Sequence, residues 1–250
     1  MPGLGRVKDV ARRFAADPTW IGERVRQART RKERGEKSLD LEALADLTLP
    51  VETLIEQVLG VDAAGREALE GQLEHPEQAA GDGSFASRGP LLRIVGTTVL
   101  ARRPETVVET GVQRGYTSAV LLAAMERVGT GRLISIDLPG IRDAEVTTGE
   151  LVPDAVRHRW DLRLGPSRRL LPEALAEAGT VGLSIHDADH SYRAQVEEFR
   201  AAWPHIASGG LLVCDDVWTP SITDFANEVG VHPALVVRGP SDAVGVLVKP

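Results

Sequence analysis

Apolar side chains recur at helical spacing in the first third of the chain. In residues 50–60, PVETLIEQVLG, they fall on one face of a helix that Pro50 begins and Gly60 ends. The neighbouring stretches EALADLTL and AAGREALEGQLE predict further helices. Residues 79–90, AAGDGSFASRGP, are typical of a loop or linker.

The spacing changes after residue 90, where short apolar runs alternate with helical patterns. The predicted strands are ETVVET, RLISID, DLRLG, VGLSIHD and GLLVCDD, and the predicted helices are SAVLLAAMERV, SRRLLPEALAEA and SYRAQVEEFRAAW. This alternation indicates a parallel sheet that is covered on both faces. The last two runs, ALVVRG and AVGVLVKP, are joined by a short Pro-Ser-Asp connection and indicate an antiparallel hairpin.

These patterns together predict one fold and a division into two parts. The fold is α/β: a Rossmann-like, doubly wound, mostly parallel seven-stranded sheet with an antiparallel C-terminal hairpin and an N-terminal helical segment. We place the helical extension at residues 1–90 and the ligand-binding domain at residues 91–250.

Composition and charge favour a small-molecule enzyme. The net charge is −7, which argues against general nucleic-acid binding. Residues 23–37 contain seven basic and three acidic residues, and this interleaving without aromatic residues favours a solvated helical face over an RNA contact. A single cysteine, Cys214, excludes an internal disulfide and predicts a buried, inert thiol. With no membrane-length apolar run and no secretory signal pattern, we expect a cytoplasmic protein.

A glycine pair after the first predicted strand marks a candidate ligand loop. Glu109, Gly111 and Gly115 have the spacing E-x-G-x-x-x-G at a strand-to-helix turn, and Thr117 and Ser118 follow in the first turn of the helix. Ligands of parallel α/β sheets bind at this edge, but the spacing is not the G-x-G-x-x-G that holds a pyrophosphate. The alternative is a tight turn without a ligand.

Two residues at the next strand ends extend this candidate site. Asp137 ends the second strand, where a carboxylate can accept both hydroxyls of a ribose, although it is also a candidate helix N-cap. Ser167 follows the third strand, where contacts to an adenine edge would lie. A simple N-cap is the favoured interpretation of Ser167.

Acidic residues follow the fourth and fifth predicted strands. Because these strands should be neighbours, Asp187 is expected near Asp215 and Asp216. Clustered carboxylates repel one another unless a cation neutralises them, and oxygen ligands favour Mg²⁺, then Ca²⁺ or Mn²⁺. The alternative is that they are caps and loop charges, which is the favoured interpretation of Asp189 before the helix SYRAQ.

With these motifs, the run from Glu109 to Trp218 resembles the metal-dependent class I S-adenosylmethionine O-methyltransferases. These include the caffeoyl-CoA and catechol type and the bacterial natural-product and sugar-modifying branch with the cephalosporin hydroxylase-like proteins. The resemblance implies S-adenosylmethionine at the glycine loop, with Asp187 among its contacts, and a metal held by the strand-end acids. It does not extend to residues 1–80, which we expect to form a substrate lid or a dimer contact.

Two positions depart from the catechol type. That type has Asn second in the strand-five pair, where this chain has Asp216, and a catalytic Lys three residues beyond the strand-four Asp, where this chain has His190. The resemblance and the chemistry therefore assign catalysis to His190 as the base and to Asp187. The alternative is that His190 is a surface imidazole. His186 points to the opposite face from Asp187 and either contacts the cofactor or packs.

Three aromatic residues are candidates for a pocket wall but are better explained by packing: Tyr116, Tyr192 and Trp218.

The sequence thus favours a Mg²⁺-dependent O-methyltransferase of a small hydroxylated acceptor, such as a sugar or secondary metabolite, assembled as a homodimer or higher homo-oligomer. The alternatives are an N-methyltransferase or an RNA methyltransferase. A fold relative that binds a nucleotide-like ligand without methylating it, or an oxidoreductase, is the alternative from another class.

Overall fold

One mixed sheet organises the part of the chain that the computed structural model describes, which is residues 39–73, 85–138, 147–239 and 242–250. Its strands are β1 (Thr106–Thr110), β2 (Arg132–Asp137), β3 (Trp160–Leu164), β4 (Val181–His186), β5 (Ile206–Val217), β6 (Ala234–Gly239) and β7 (Asp242–Val248). The strand order is β3-β2-β1-β4-β5-β7-β6. Strands β1 to β5 pair in parallel, and β7 is antiparallel to both β5 and β6. The predicted fold is confirmed.

Seven α-helices are present in the described residues. They are α1 (Val51–Leu59), α2 (Ala63–Glu70), α3 (Phe85–Arg102), α4 (Tyr116–Val128), α5 (Ser167–Ala178), α6 (Tyr192–Ala202) and α7 (Ser221–Val229). Short 3₁₀ turns lie at Ala45–Leu47, Asp154–Arg159 and Trp203–His205. The helix predicted over EALADLTL is wrong, because this stretch forms turns and one 3₁₀ turn. The basic residues 23–37 lie outside the described residues.

Helix α3 corrects the prediction of a linker over residues 79–90. The helix begins at Phe85, so the linker is wrong over residues 85–90, while residues 79–84 lie outside the described residues. The sequence pattern concealed α3 because Pro90 and Gly96 lower its helix propensity and its centre is buried on nearly every side. The division at residue 90 stays a prediction.

Apolar side chains on both faces of the sheet explain why the strands are so uniformly hydrophobic. On β5, Leu211 and Val213 join the core on one face, and Leu212 and Cys214 join the core on the other. Burial, together with the neighbouring acidic residues, raises the pKa of the Cys214 thiol well above its usual value. The prediction that the Cys214 thiol is buried is confirmed.

The register of the central strands brings three strand ends to one edge. Thr110 of β1 pairs with His186 of β4, and His186 pairs with Cys214 of β5. Gly111, Asp187 and Asp215 each follow one of these paired residues and therefore lie side by side. No helix in the described part of the chain is long and apolar enough to cross a membrane.

Candidate active site

The glycine loop between β1 and α4 requires glycine at two positions. Gly111 has φ +89° and Gly115 has φ +94°, both in the left-handed region. A Cβ atom at Gly111 would lie 1.9 Å from the backbone oxygen of Asp187. The backbone of the loop thus packs directly on the end of β4, and this close approach is only possible without a side chain.

Asp137 holds the same loop from the end of β2. Its Oδ2 accepts hydrogen bonds from the backbone N–H groups of Val112 at 3.1 Å and Gln113 at 2.8 Å. The side chain therefore faces the glycine loop. Fixing two successive N–H groups with one carboxylate gives the loop a defined shape before any ligand binds.

Glu109 and Ser118, both predicted to bind cofactor, lie beneath the loop and are fully buried. Oε2 of Glu109 accepts hydrogen bonds from Ser118 Oγ at 2.6 Å and from Ser135 Oγ at 2.7 Å. Trp160 Nε1 in turn donates to Ser135 Oγ at 2.9 Å. This cluster joins β1, β2, β3 and the first turn of α4, so its geometry supports the loop from below. Thr117 is also buried, and the described residues provide its Oγ1 with no hydrogen-bond partner.

The second half of the site brings His190 to the acids at the ends of β4 and β5. His190 Nε2 lies 3.4 Å from Oδ2 of Asp216 and 4.0 Å from Oδ1 of Asp187. Asp216 reaches this position because its backbone adopts φ +50°, which interrupts the alternation of β5. Asp215 is 2% exposed. Within the described ranges, no group of three His, Cys, Asp or Glu side chains is placed to hold a metal ion.

Sequence reasoning missed a buried polar cluster behind this edge. Glu198 of α6 accepts hydrogen bonds from Thr110 Oγ1 at 2.6 Å and bonds His186 Nδ1 at 2.7 Å. Burial alone would raise the pKa of Glu198, but His186 and the hydroxyls of Ser167 and Thr110 lower it below its usual value. One sequence feature could have revealed this cluster: Glu198 is a charged residue on the apolar, buried face of α6, one turn after Ala194 and one residue before Phe199.

This cluster also locates two further candidates. Ser167 bonds Glu198 and lies in the first turn of α5, so it is not the N-cap, which is Pro166. His186 packs edge-to-face on Phe199 with ring centroids 5.8 Å apart. The hydroxyl of Ser167 and the Nδ1 atom of His186 are therefore used in the interior of the protein.

Two of the remaining candidates, Asp189 and Tyr192, lie around the start of α6. Its N-cap is Ser191 rather than Asp189, because Ser191 Oγ accepts from Ala194 N, while Asp189 Oδ1 accepts from Ser191 N at 3.2 Å. Tyr192 donates its phenol hydrogen to Asp224 at 2.9 Å, and this bond, with burial, raises the pKa of Tyr192. Tyr116 is buried at the start of α4.

The parallel sheet with its antiparallel last strands, and the glycine loop at the end of β1, define a class I methyltransferase fold. Residues 108–217 match a family model described as a methyltransferase domain. Residues 108–217 therefore contain a methyltransferase domain, and the described sheet has the fold of the class I S-adenosylmethionine-dependent methyltransferases, in agreement with the sequence motifs.

Solved structures with the same fold include three O-methyltransferases. CalS11, described as a TDP-rhamnose 3′-O-methyltransferase in calicheamicin biosynthesis, is 18% identical over 79% of this chain and 92% of its own, with a TM-score of 0.51. TomG from Streptomyces achromogenes, involved in tomaymycin synthesis and solved with S-adenosylmethionine, is 17% identical over 80% and 96%, with a TM-score of 0.51. NovP is 15% identical over 65% and 79%, with a TM-score of 0.50. At such identities the likeness extends to the fold. No curated protein sequence matches the chain.

Proposed function

We propose that this methyltransferase acts on a hydroxyl group of a small molecule. The observation that carries the proposal is the position of His190, whose Nε2 lies 3.4 Å from Asp216 at the edge of the sheet that also carries the glycine loop. An imidazole beside a carboxylate is suited to accept a proton from a hydroxyl near neutral pH. The fold neighbours CalS11, TomG and NovP are named as O-methyltransferases, and this supports the same class of acceptor.

The cofactor fits the first half of the site. The loop from Gly111 to Gly115 offers backbone without side chains, which allows close approach of a ligand. Asp137 would hold the ribose, and the absence of a phosphate-binding glycine pattern suits a sulfonium nucleoside. When bound, S-adenosylmethionine supplies an electrophilic methyl carbon. Asp187 lies between this loop and His190, because its backbone contacts Gly111 and its side chain is 4.0 Å from the imidazole.

In the proposed reaction, the imidazole of His190 accepts the proton of the acceptor hydroxyl. The oxygen then forms a bond to the methyl carbon while the carbon–sulfur bond breaks, which leaves S-adenosylhomocysteine. The carboxylates of Asp216 and Asp187 stabilise the positive charge that the imidazole gains. Their positions follow from the ends of β4 and β5, so the sheet fixes the base relative to the cofactor loop.

Loss of the Asp137 carboxylate tests the cofactor site. We expect Asp137→Ala to weaken S-adenosylhomocysteine binding about 10- to 100-fold, because hydrogen bonds to a charged group are lost both within the loop and to the ligand. Isothermal titration calorimetry measures this affinity. Glu105→Ala, which removes an exposed carboxylate just before the amino end of β1, is the matched control and should bind as wild type does. Equal affinity in Asp137→Ala and wild type would contradict the assignment of Asp137.

Magnesium is a separate part of the proposal. The donor set of Asp187, Asp215 and Asp216 has the chemistry of a hard-cation site, although their side chains are not arranged as one in the described structure. A cation held there would supply positive charge beside the acceptor oxygen. We expect chelation to lower methyl transfer and Mg²⁺ to restore it, with the restoration lost in Asp215→Asn. Turnover that chelation leaves unchanged would assign the chemistry to His190 without a metal.

The same proposal has three further parts. The acceptor is a sugar or secondary metabolite, the protein is a homodimer or larger homo-oligomer, and it is located in the cytoplasm. A panel of hydroxylated acceptors assayed for S-adenosylhomocysteine release tests the first, and light scattering of the purified chain tests the second.

A further inference from the structure

The loop that carries His190 is attached to the end of β5 through Trp218. The indole Nε1–H of Trp218 donates a hydrogen bond to the backbone oxygen of His190 at 3.1 Å. The Trp218 ring also meets the His190 imidazole edge-to-face, with centroids 5.4 Å apart and an interplanar angle of 83°. One side chain therefore contacts both the backbone and the ring of the candidate base.

The backbone of Trp218 is itself fixed from the other side. Its carbonyl oxygen accepts a hydrogen bond from the N–H of Leu39 at 2.8 Å, and the Leu39 side chain is buried in the core with Val217 and Ile222. The start of the described chain thus holds Trp218 in place. A change of the indole alone would release His190 without releasing the end of β5.

A second aromatic contact limits the imidazole further. His186 meets His190 edge-to-face with centroids 5.9 Å apart, and its own ring is held by the buried carboxylate of Glu198. His190 lies outside regular secondary structure, where a side chain has more freedom than on a strand or helix. The ring contacts and the indole hydrogen bond therefore define its direction.

We propose that Trp218 is a positioning residue for His190, linking the segment at Leu39 to the base. This inference rests on the proposed function of His190. Without the indole N–H, the base should spend less time in line with the acceptor hydroxyl, and a small misplacement of a reacting group is costly in rate. The hydrogen bonds that shape the cofactor loop come from Asp137, so cofactor affinity should not change.

The experiment compares Trp218→Phe, which keeps an aromatic ring and removes the N–H donor, with Trp203→Phe. Trp203 packs on Phe225 and Lys249 next to the amino end of β5 and serves as the matched control. We expect Trp218→Phe to lower kcat about 10-fold, which is the upper end of the effect expected from one lost hydrogen bond. The KM for S-adenosylmethionine should stay within about twofold of the wild-type value. Trp203→Phe should leave both unchanged.

A double-mutant cycle separates positioning from general loosening. If Trp218 acts through His190, Trp218→Phe will have no further effect on kcat in a His190→Asn background. An equal loss of kcat in both backgrounds, or the same loss in Trp203→Phe, would overturn the inference.

A spectroscopic measurement distinguishes failure of the positioning inference from failure of the proposed function. In ¹⁵N-histidine-labelled protein, the His190 imidazole resonance, assigned by its loss in His190→Asn, should move in Trp218→Phe and stay in Trp203→Phe. An unmoved resonance would refute positioning even if the enzyme transfers methyl groups. If the resonance moves but the protein methylates no hydroxyl, then Trp218 does position His190 and the proposed function is wrong.

Discussion

Replacement of His190 by alanine will lower kcat about 10²- to 10⁴-fold and leave S-adenosylhomocysteine affinity close to that of wild type. The loss has the size expected when a general base is removed. The affinity is preserved because Asp137 holds the glycine loop through the backbone N–H groups of Val112 and Gln113. Steady-state kinetics with a responsive hydroxyl acceptor, together with calorimetry, measures both quantities.

His232→Ala is the control for this experiment. His232 is exposed on the segment between α7 and β6, so its replacement should change neither kcat nor affinity. If His190→Ala retains a third or more of the wild-type kcat, then another group accepts the proton. Asp187, which faces the same imidazole, would be the next residue to replace.

Replacement of Gly111 by alanine will destabilise the protein by about 3 kcal/mol or more and abolish measurable cofactor binding. The added Cβ would lie 1.9 Å from the Asp187 backbone oxygen, and a backbone atom in the middle of the sheet edge cannot rotate away as a side chain can. Overlap of this kind adds to the cost of a left-handed conformation at a residue with a Cβ. Urea denaturation measures the free energy of unfolding.

The control separates the close contact from the conformation. Gly129, which ends α4, has φ +75° but no atom within 4 Å of its would-be Cβ. Gly129→Ala should therefore cost only about 1–2 kcal/mol, the cost of the left-handed conformation alone. If Gly111→Ala were as stable as Gly129→Ala and still bound S-adenosylhomocysteine, the loop would have to move away from Asp187 without losing its function.

The secondary-structure elements differ in how well the sequence pattern predicted them. The strands were predictable because short β-branched runs bounded by polar residues are a local signal, and β4 and β5 were expected as neighbours from their order. Helix α3 was not predictable, since a helix buried on most sides loses its 3.6-residue polar pattern. Helix α7 was missed for a different reason: it is only nine residues long, although Pro220 marks its start.

The candidate site shows the same division. The sequence placed Asp137, His190 and the acids at strand ends, but it could not assign partners to Glu109 or Glu198. A buried carboxylate is stable only with hydrogen-bond donors, and its donors come from distant parts of the chain: Ser118 and Ser135 for Glu109, and Thr110, Ser167 and His186 for Glu198.

By itself, the sequence determined the class of fold, the edge of the sheet where the candidate site lies and the residue types gathered there. These follow from hydrophobic period and from the position of polar residues after each strand, which are local properties. The tertiary structure alone decided that Gly111 packs on Asp187, that Asp216 turns toward His190, and that the Trp218 indole bonds the backbone of His190. Those outcomes depend on strand register and on backbone angles in loops, such as φ +50° at Asp216, and neither is set by the spacing of residues along the chain.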